Sequence, residues 1–404
     1  MTQLLKKLGP GLLFAGAAIG VSHLVQSTRA GADYGLGLLW ALFLVNLFKY
    51  PFFQFGPRYA SATGESLLDG YKKLGKGVLI FYFILTFATM FTIQTAVTIV
   101  TAGLASTLFG SFIDIKIWTI IILIICLIIL FLGKYKLLDQ LMKIIVITLT
   151  ISTLVAVIFA FSKYDGNLEL TQILPQNNIE IVFLIAFMGW MPAPLDISVW
   201  HSLWTVEKKK TAGSFTPKSA LLDFNIGYIG TIFLGIGFLL LGYLVMHNSD
   251  ESFSSSASLF SNQLIAMYTH SLGSWSYIII GIAAFTTMFS TTLTTLDASP
   301  RAMSKTFELL TNTTFKRGYL YWILILFFGT ILIFFYFASE MGLLIKIATI
   351  LSFLTAPFYA IINYILISSK HTPKSWRPSK SLHILSILGI LFLIAFSIWY
   401  MTIL

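Results

Sequence analysis

Gly9-Pro10-Gly11-Leu12-Leu13-Phe14-Ala15-Gly16-Ala17-Ala18-Ile19-Gly20-Val21-Ser22-His23-Leu24, running on to Gly35, is apolar enough to enter a bilayer. It is nevertheless interrupted where an unbroken membrane helix would not be, with Gly16, Gly20, Ser22 and His23 near its middle. A second apolar stretch, Ile181 to Trp204, is interrupted by Met191-Pro192-Ala193-Pro194 and carries Asp196. Unwound backbone at membrane depth exposes N–H and C=O groups that lipid cannot satisfy, so it survives only facing protein, a cavity or a bound ion. Two broken helices, one opening each half of a polytopic chain, are the sequence signature of a transporter's binding site.

The rest of the chain supports that setting. Of 404 residues, 57% are hydrophobic and 10% charged, with a mean hydropathy of +0.87, which excludes a soluble globular domain. About eleven runs are long enough to cross a bilayer: roughly 9–33, 38–57, 77–107, 117–133, 143–161, 181–204, 219–246, 273–297, 318–338, 343–368 and 382–402. The expected fold is therefore an all-α polytopic membrane protein, a single transmembrane domain over 1–404. Repeat one falls at about 9–161 and repeat two at about 181–368, with an extra helix at about 382–402. An odd number of spans per repeat inverts the second relative to the first. Little chain remains for a soluble domain, and Met1 to Lys7 shows no cleavable signal pattern. The Ser-rich tract from His247 to Ser256 reads as a mobile loop.

A net charge of +10 invites a nucleic-acid reading, but its distribution is topological. With the N-terminus placed inside, 21 of the 26 Lys and Arg residues fall on that side, against Lys116, Lys163 and Lys346 outside; Arg29 and Lys49 lie within spans. This is the positive-inside pattern. It predicts an integral protein of the bacterial inner (plasma) membrane, N-terminus cytoplasmic and C-terminus outside, with lipid headgroups rather than nucleic acid as partners. Cys126, the single cysteine, reads as a buried inert thiol.

Ionisable groups within spans are functional candidates by default. Here they are His23, Arg29, Asp33, Lys49, Asp196, His201, Asp223 and Asp297. Asp33, Asp223 and Asp297 lie near span ends, where hydration accounts for them. His23 sits at the first break, either closing a free carbonyl or serving substrate or proton movement. Asp196 follows Pro194 and either caps the second half-helix or faces the ion. For Lys49 three uses remain open: reaching the interface, pairing with a carboxylate, or standing where another carrier binds a coupling cation. Arg29 faces the path or pairs with an acid. Gln94 and Thr98, and Thr291 to Thr295, repeat at helical spacing, a pattern that suits helix packing. No Gly-x-Ser-x-Gly, phosphate-binding loop or His-Glu-x-x-His motif is present, and no acid, base and nucleophile set converges, so no enzyme activity and no cofactor are expected.

The segments Gly9-Pro10-Gly11-Leu12-Leu13, Arg29-Ala30-Gly31-Ala32-Asp33-Tyr34-Gly35 and Leu38-Leu39-Trp40 resemble the first span of the Nramp family of divalent metal transporters. The similarity continues through Asn46-Leu47, Arg58, Ala62-Thr63-Gly64, Leu108-Phe109-Gly110, Thr291 to Leu296 and Pro357-Phe358, covering nearly the whole chain. The resemblance implies two inverted five-helix repeats of the LeuT/Nramp type, with ions passing the broken helices 1 and 6.

The functional motif departs from that family. Its Asp-Pro-Gly-Asn at the first break corresponds to Gly20-Val21-Ser22-His23, so the metal-binding carboxylate is missing. Its Met-Pro-His in helix 6 corresponds to Ala193-Pro194-Leu195, with Met191-Pro192 as a rival register; the acidic pair of helix 3 falls on Gln94 and Val97, and the Gln of helix 10 on Thr355. Soft thioether and imidazole ligands favour transition metals, and a divalent ion in low dielectric needs negative charge nearby. This site offers Asp196, carbonyls, Ser22 and His23. The expected function is a secondary transporter for a small inorganic ion, with Mn²⁺ or Fe²⁺ selectivity lost. The reading leans to an anion such as bicarbonate; the alternatives are a hydrated Mg²⁺-like cation or residual metal uptake, and, in another class, a non-transporting sensor or scaffold. H⁺ or Na⁺ is a possible coupling ion. The substrate-binding set is Gly20, Val21, Ser22, His23, Ala193, Pro194 and Asp196; coupling or pathway candidates are Arg29, Lys49, Gln94, His201 and Thr355.

Overall fold

A computed structural model describes residues 9–110, 112–211, 216–247, 253–254, 256–337 and 341–402, with backbone alone for 133–143, 211, 271–272, 337 and 341. The regular elements of the described chain are all helices, without a strand among the described residues. In order, the helices are α1 (Pro10–Ala18), α2 (Ser22–Tyr34), α3 (Leu39–Thr63), α4 (Leu67–Leu74), α5 (Lys76–Phe109), α6 (Ile115–Lys163) and α7 (Asn178–Trp190). There follow α8 (Ile197–Thr211), α9 (Pro217–Met246), α10 (Ala257–Leu272), α11 (Tyr277–Thr311), α12 (Gly318–Phe337), α13 (Met341–Ser368) and α14 (Lys380–Met401).

Polarity runs inside out, as a bilayer requires. On α5 the large side chains of Phe81, Ile84 and Phe87 are exposed, whereas Thr86, Gln94, Thr98 and Thr101 are buried. The buried hydroxyls bond back to the preceding turn, Thr98 to the Gln94 carbonyl at 2.6 Å and Thr101 to the Val97 carbonyl at 2.8 Å. They therefore enter the core without orphaned donors. This is an integral membrane protein.

Among the described residues eight helical segments are long and apolar enough to span, two of them on α6, or nine if α1 and α2, bent by 46° at their break, form one span. The count of eleven is thus not reached by length and hydropathy. The expected runs that fall short have physical reasons. The 25-residue α3 is diluted by Asn46, Lys49, Gln54 and Arg58, and α7 and α8, of 13 and 15 residues, are each half a span. The runs expected at 117–133 and 143–161 both pass, as the apolar windows Ile115–Leu132 and Ile144–Lys163 of one continuous backbone helix, α6. The helices α4 and α10 were not anticipated. The former is closed at its start by a capping box in which Ser66 and Asp69 bond each other's backbone. Of the tract read as a mobile loop, residues 248–252 and 255 lie outside the described residues, as do Met1 to Leu8 and the C-terminal 403–404. Phe253 and Ser254 are held in place, their carbonyls accepting from Arg29 at 3.2 and 3.1 Å.

Glycine sets how closely α9 approaches the first two helices. A β-carbon at Gly11 would meet the backbone of Asp223, one at Gly31 the Leu239 carbonyl, and one at Gly242 the Thr28 carbonyl. Backbone-to-backbone contact is the usual means of helix association where lipid supplies no hydrophobic drive. Asp223 completes the joint. Its carboxylate accepts from Gly9 N at 3.0 Å and Gly11 N at 2.8 Å, capping the positive end of α1. Asp297 is likewise engaged, by Arg301 at 2.7 Å and the Tyr319 hydroxyl at 2.8 Å.

Candidate functional site

The two interruptions meet at the centre of the molecule. The first begins where Ile19 N and Gly20 N turn back to the Ala15 and Ala18 carbonyls, and α2 then opens as a π-helix over Ser22–Ser27. Wide π turns are frequent at functional sites. The second covers 191–196, between Trp190 and Ile197, and contains both Pro192 and Pro194. Proline has no N–H, so the carbonyls four residues earlier, on Met188 and Trp190, lose their helical donors.

Ser22 joins the two breaks. Its hydroxyl oxygen lies 2.6 Å from the Ala18 carbonyl and 3.3 Å from the Pro192 carbonyl, and 2.6 Å from His23 Nδ1. His23 Nε2 donates to the Thr231 carbonyl on α9 at 2.9 Å, which fixes that nitrogen as the protonated one. The imidazole thus turns toward α9.

A cavity of about 20 Å³ lies between the breaks, room for one water-sized occupant. Among its walls are Val21, Ser22, Pro194, Trp200, Thr291 and Thr295. Of the residues expected to bind substrate, Val21, Ser22 and Pro194 therefore line this space. Gly20 packs on Thr291, Ala193 offers its carbonyl to Lys49, and His23 is turned aside. Asp196 is buried just before α8, its Oδ1 without a hydrogen-bond partner among the described residues.

The pathway candidates are dispersed. Arg29 pins Phe253 and Ser254, with its guanidinium over the Phe260 ring. Gln94 donates to Thr98 at 3.2 Å and to the Thr292 carbonyl at 3.3 Å, tying α5 to α11. Thr355 bonds back to Ser352 on its own helix. His201 stacks on Phe14, ring centroids 5.6 Å apart, and neither ring nitrogen has a partner among the described residues. Lys49 alone reaches the second break. Its fully buried Nζ donates to the carbonyls of Met188, Gly189, Met191 and Ala193, at 2.7, 2.8, 3.1 and 3.3 Å.

Several wall residues carried no functional signal in the sequence. Thr291 and Thr295 read as packing, and Trp200 went unremarked. With Trp204 at the i+4 position it forms one face of α8, rings 6.4 Å apart. Trp200 touches the central cavity, whereas Trp204 lines a second, charged cavity of about 210 Å³ with Asp69, Glu207, Lys210, Arg301 and Lys305. Burial pushes the Asp69 carboxyl up. Hydrogen bonds from Ser66 and Lys305, together with the Lys305 charge 3.0 Å away, outweigh that and hold it below the usual carboxylate range.

No group of three or more His, Cys, Asp or Glu side chains able to hold a metal occurs among the described residues.

Comparison with known proteins places this geometry. The uncharacterized protein PM0681 of Pasteurella multocida is 36% identical over 401 residues, covering 97% of this chain and 91% of the relative. A crystal structure of the Eremococcus coleocola manganese transporter with an aromatic bis-isothiourea substituted compound superposes with a TM-score of 0.76 at 14% identity, over 98% of this chain and 85% of that one. MhsT in complex with L-phenylalanine gives 0.66 at 13% identity, over 98% of each chain. Mhp1, a nucleobase-cation-symport-1 family transporter, gives 0.62 at 14%, over 97% and 92%. At such identities the likeness is one of fold. Residues 11–402 match the family model described as natural resistance-associated macrophage protein-like, and by that span the chain belongs to the Nramp family.

Proposed function

We propose that this protein is a secondary transporter of a small inorganic ion, without Mn²⁺ or Fe²⁺ selectivity, and that the ion is an anion of the bicarbonate class. The observation that carries the reading is Lys49, whose ammonium sits on four carbonyl oxygens at the helix 6 break. Those carbonyls are the negative groups a cation would seek there, and they are already engaged. The cavity walls include the first turns of α2 and α8, where helix N-termini bring partial positive charge. The substrate-binding set retained for test is Gly20, Val21, Ser22, His23, Ala193, Pro194 and Asp196, with repeats at about 9–161 and 181–368 and the last helix outside them. The proposed setting is the inner membrane, N-terminus inside.

One observation favours a second reading. Asp196 Oδ1 is buried and without a hydrogen-bond partner among the described residues, which suits a hard, partly hydrated divalent cation. The fold likeness to a manganese transporter points the same way. A proteoliposome panel separates the two. Bicarbonate addition should change internal pH in protein-dependent fashion, while Mn²⁺ at micromolar levels should give no saturable uptake. Saturable Mn²⁺ uptake would overturn the reading, and Mg²⁺ flux without bicarbonate flux would replace it with the second.

A further inference from the structure

The surroundings of Lys49 have the composition of a cation-binding site. All four groups within 3.3 Å of its Nζ are carbonyl oxygens, none of which can donate a proton. An ammonium supplies three N–H donors and no acceptor, so it suits an all-acceptor set, with one N–H shared between two of the four oxygens; a neutral amine would turn its lone pair on an oxygen. The oxygens come from the end of α7 and the unwound stretch after it, where prolines 192 and 194 and the break itself have removed the usual donors. The negative end of the α7 dipole adds to the attraction. The side chain is not supplied locally: it crosses from the middle of α3, fully buried along its length.

We infer that this four-carbonyl cluster is a monovalent-cation site filled by the protein's own Lys49 ammonium, and that removing the ammonium leaves a site for a free ammonium ion. The helix 6 break is then held together without an exogenous cation at this position. The inference concerns the resident group of the break and goes beyond the identity of the transported ion.

The test needs no transport assay, so its failure is distinct from failure of the anion reading. Lys49→Met keeps most of the stem and removes the charged head; Lys49→Ala opens more room. Membranes carrying wild-type, Lys49→Met or Lys49→Ala protein are solubilised in ammonium chloride or choline chloride at equal ionic strength. Fluorescence-detected size-exclusion chromatography is then followed by thermal unfolding. Wild-type protein should behave identically in both salts. The variants should lose monodispersity or unfold earlier in choline, and regain it in ammonium, with a saturable shift of about 3 °C or more. Equal behaviour of both variants in the two salts, including aggregation in both, overturns the inference. So does an ammonium-dependent shift of the same size in the wild-type protein.

Discussion

Gly20 shows why the family's carboxylate cannot simply be put back. A β-carbon there would lie 2.8 Å from Thr291 Oγ1 and 3.0 Å from its Cγ2, closer than a side chain tolerates. Thr291 is short and held by bonds to the Gly16 and Thr287 carbonyls at 3.2 Å, so it yields only at a cost. Gly20→Ala is therefore expected to destabilise by about 1–3 kcal/mol through overpacking. Thr291→Ala in the same chain should recover most of that loss. A double-mutant cycle on thermal unfolding measures the coupling, and strictly additive effects would show that the two positions do not compete for space. The absence of the carboxylate was legible in the sequence as Gly20-Val21-Ser22-His23. Why glycine stands there was not, because its neighbour comes from the far half of the chain. The same holds for His23: its place at the break was legible, but its partner, the Thr231 carbonyl, depends on how α9 packs.

At the scale of elements, breaks are easier to read than what crosses them. Glycines near 16–20 and the prolines 192 and 194 announce both interruptions locally, and both were found where expected. The donors that satisfy the exposed carbonyls are remote, Ser22 on one helix and Lys49 on another. Periodicity therefore cannot assign them. The helix α10 escaped notice for a related reason: it begins directly after a Ser-rich tract and carries polar residues among apolar ones, so no bilayer-length run marks it. One element-scale consequence concerns α8. Its Trp200 lines the central cavity and the neighbouring Trp204 the charged one, and the indole nitrogen of each lacks a partner among the described residues. Trp204→Ala removes a large ring from the wall of the charged cavity. Thr295→Cys, on the central wall, should then react with a small cationic thiol reagent several-fold faster than in the Trp204 background. An unchanged rate would mean the two cavities are not joined along this face.

For the molecule as a whole, charge is segregated along one axis. Lys73 pairs with Glu65, Lys305 with Asp69 and Lys210 with Glu207, all around α4 and the end of α8. That end also carries the start of α1, where Gly9 packs beside Lys208. The far end holds Arg29 and the segment it pins at Phe253 and Ser254. Insertion leaves basic segments on the cytoplasmic side because moving Lys and Arg across the bilayer is unfavourable, and the topology expected from the sequence puts 21 on that side against 3 outside. The expected orientation puts α4 and Lys210 inside and Ser254 outside. Two variants with one added cysteine each, Lys210→Cys and Ser254→Cys, test it with a membrane-impermeant thiol reagent, since buried Cys126 should remain unlabelled. In right-side-out vesicles Ser254→Cys should label and Lys210→Cys should not, with the pattern exchanged in inverted vesicles. Labelling of both positions from one side would mean that the two ends do not face opposite compartments, which the segregation of basic residues requires. A clean exchange of the sides would leave the two-ended architecture intact but show that the lysines around α4 face outward, against the force that normally decides how a polytopic chain inserts.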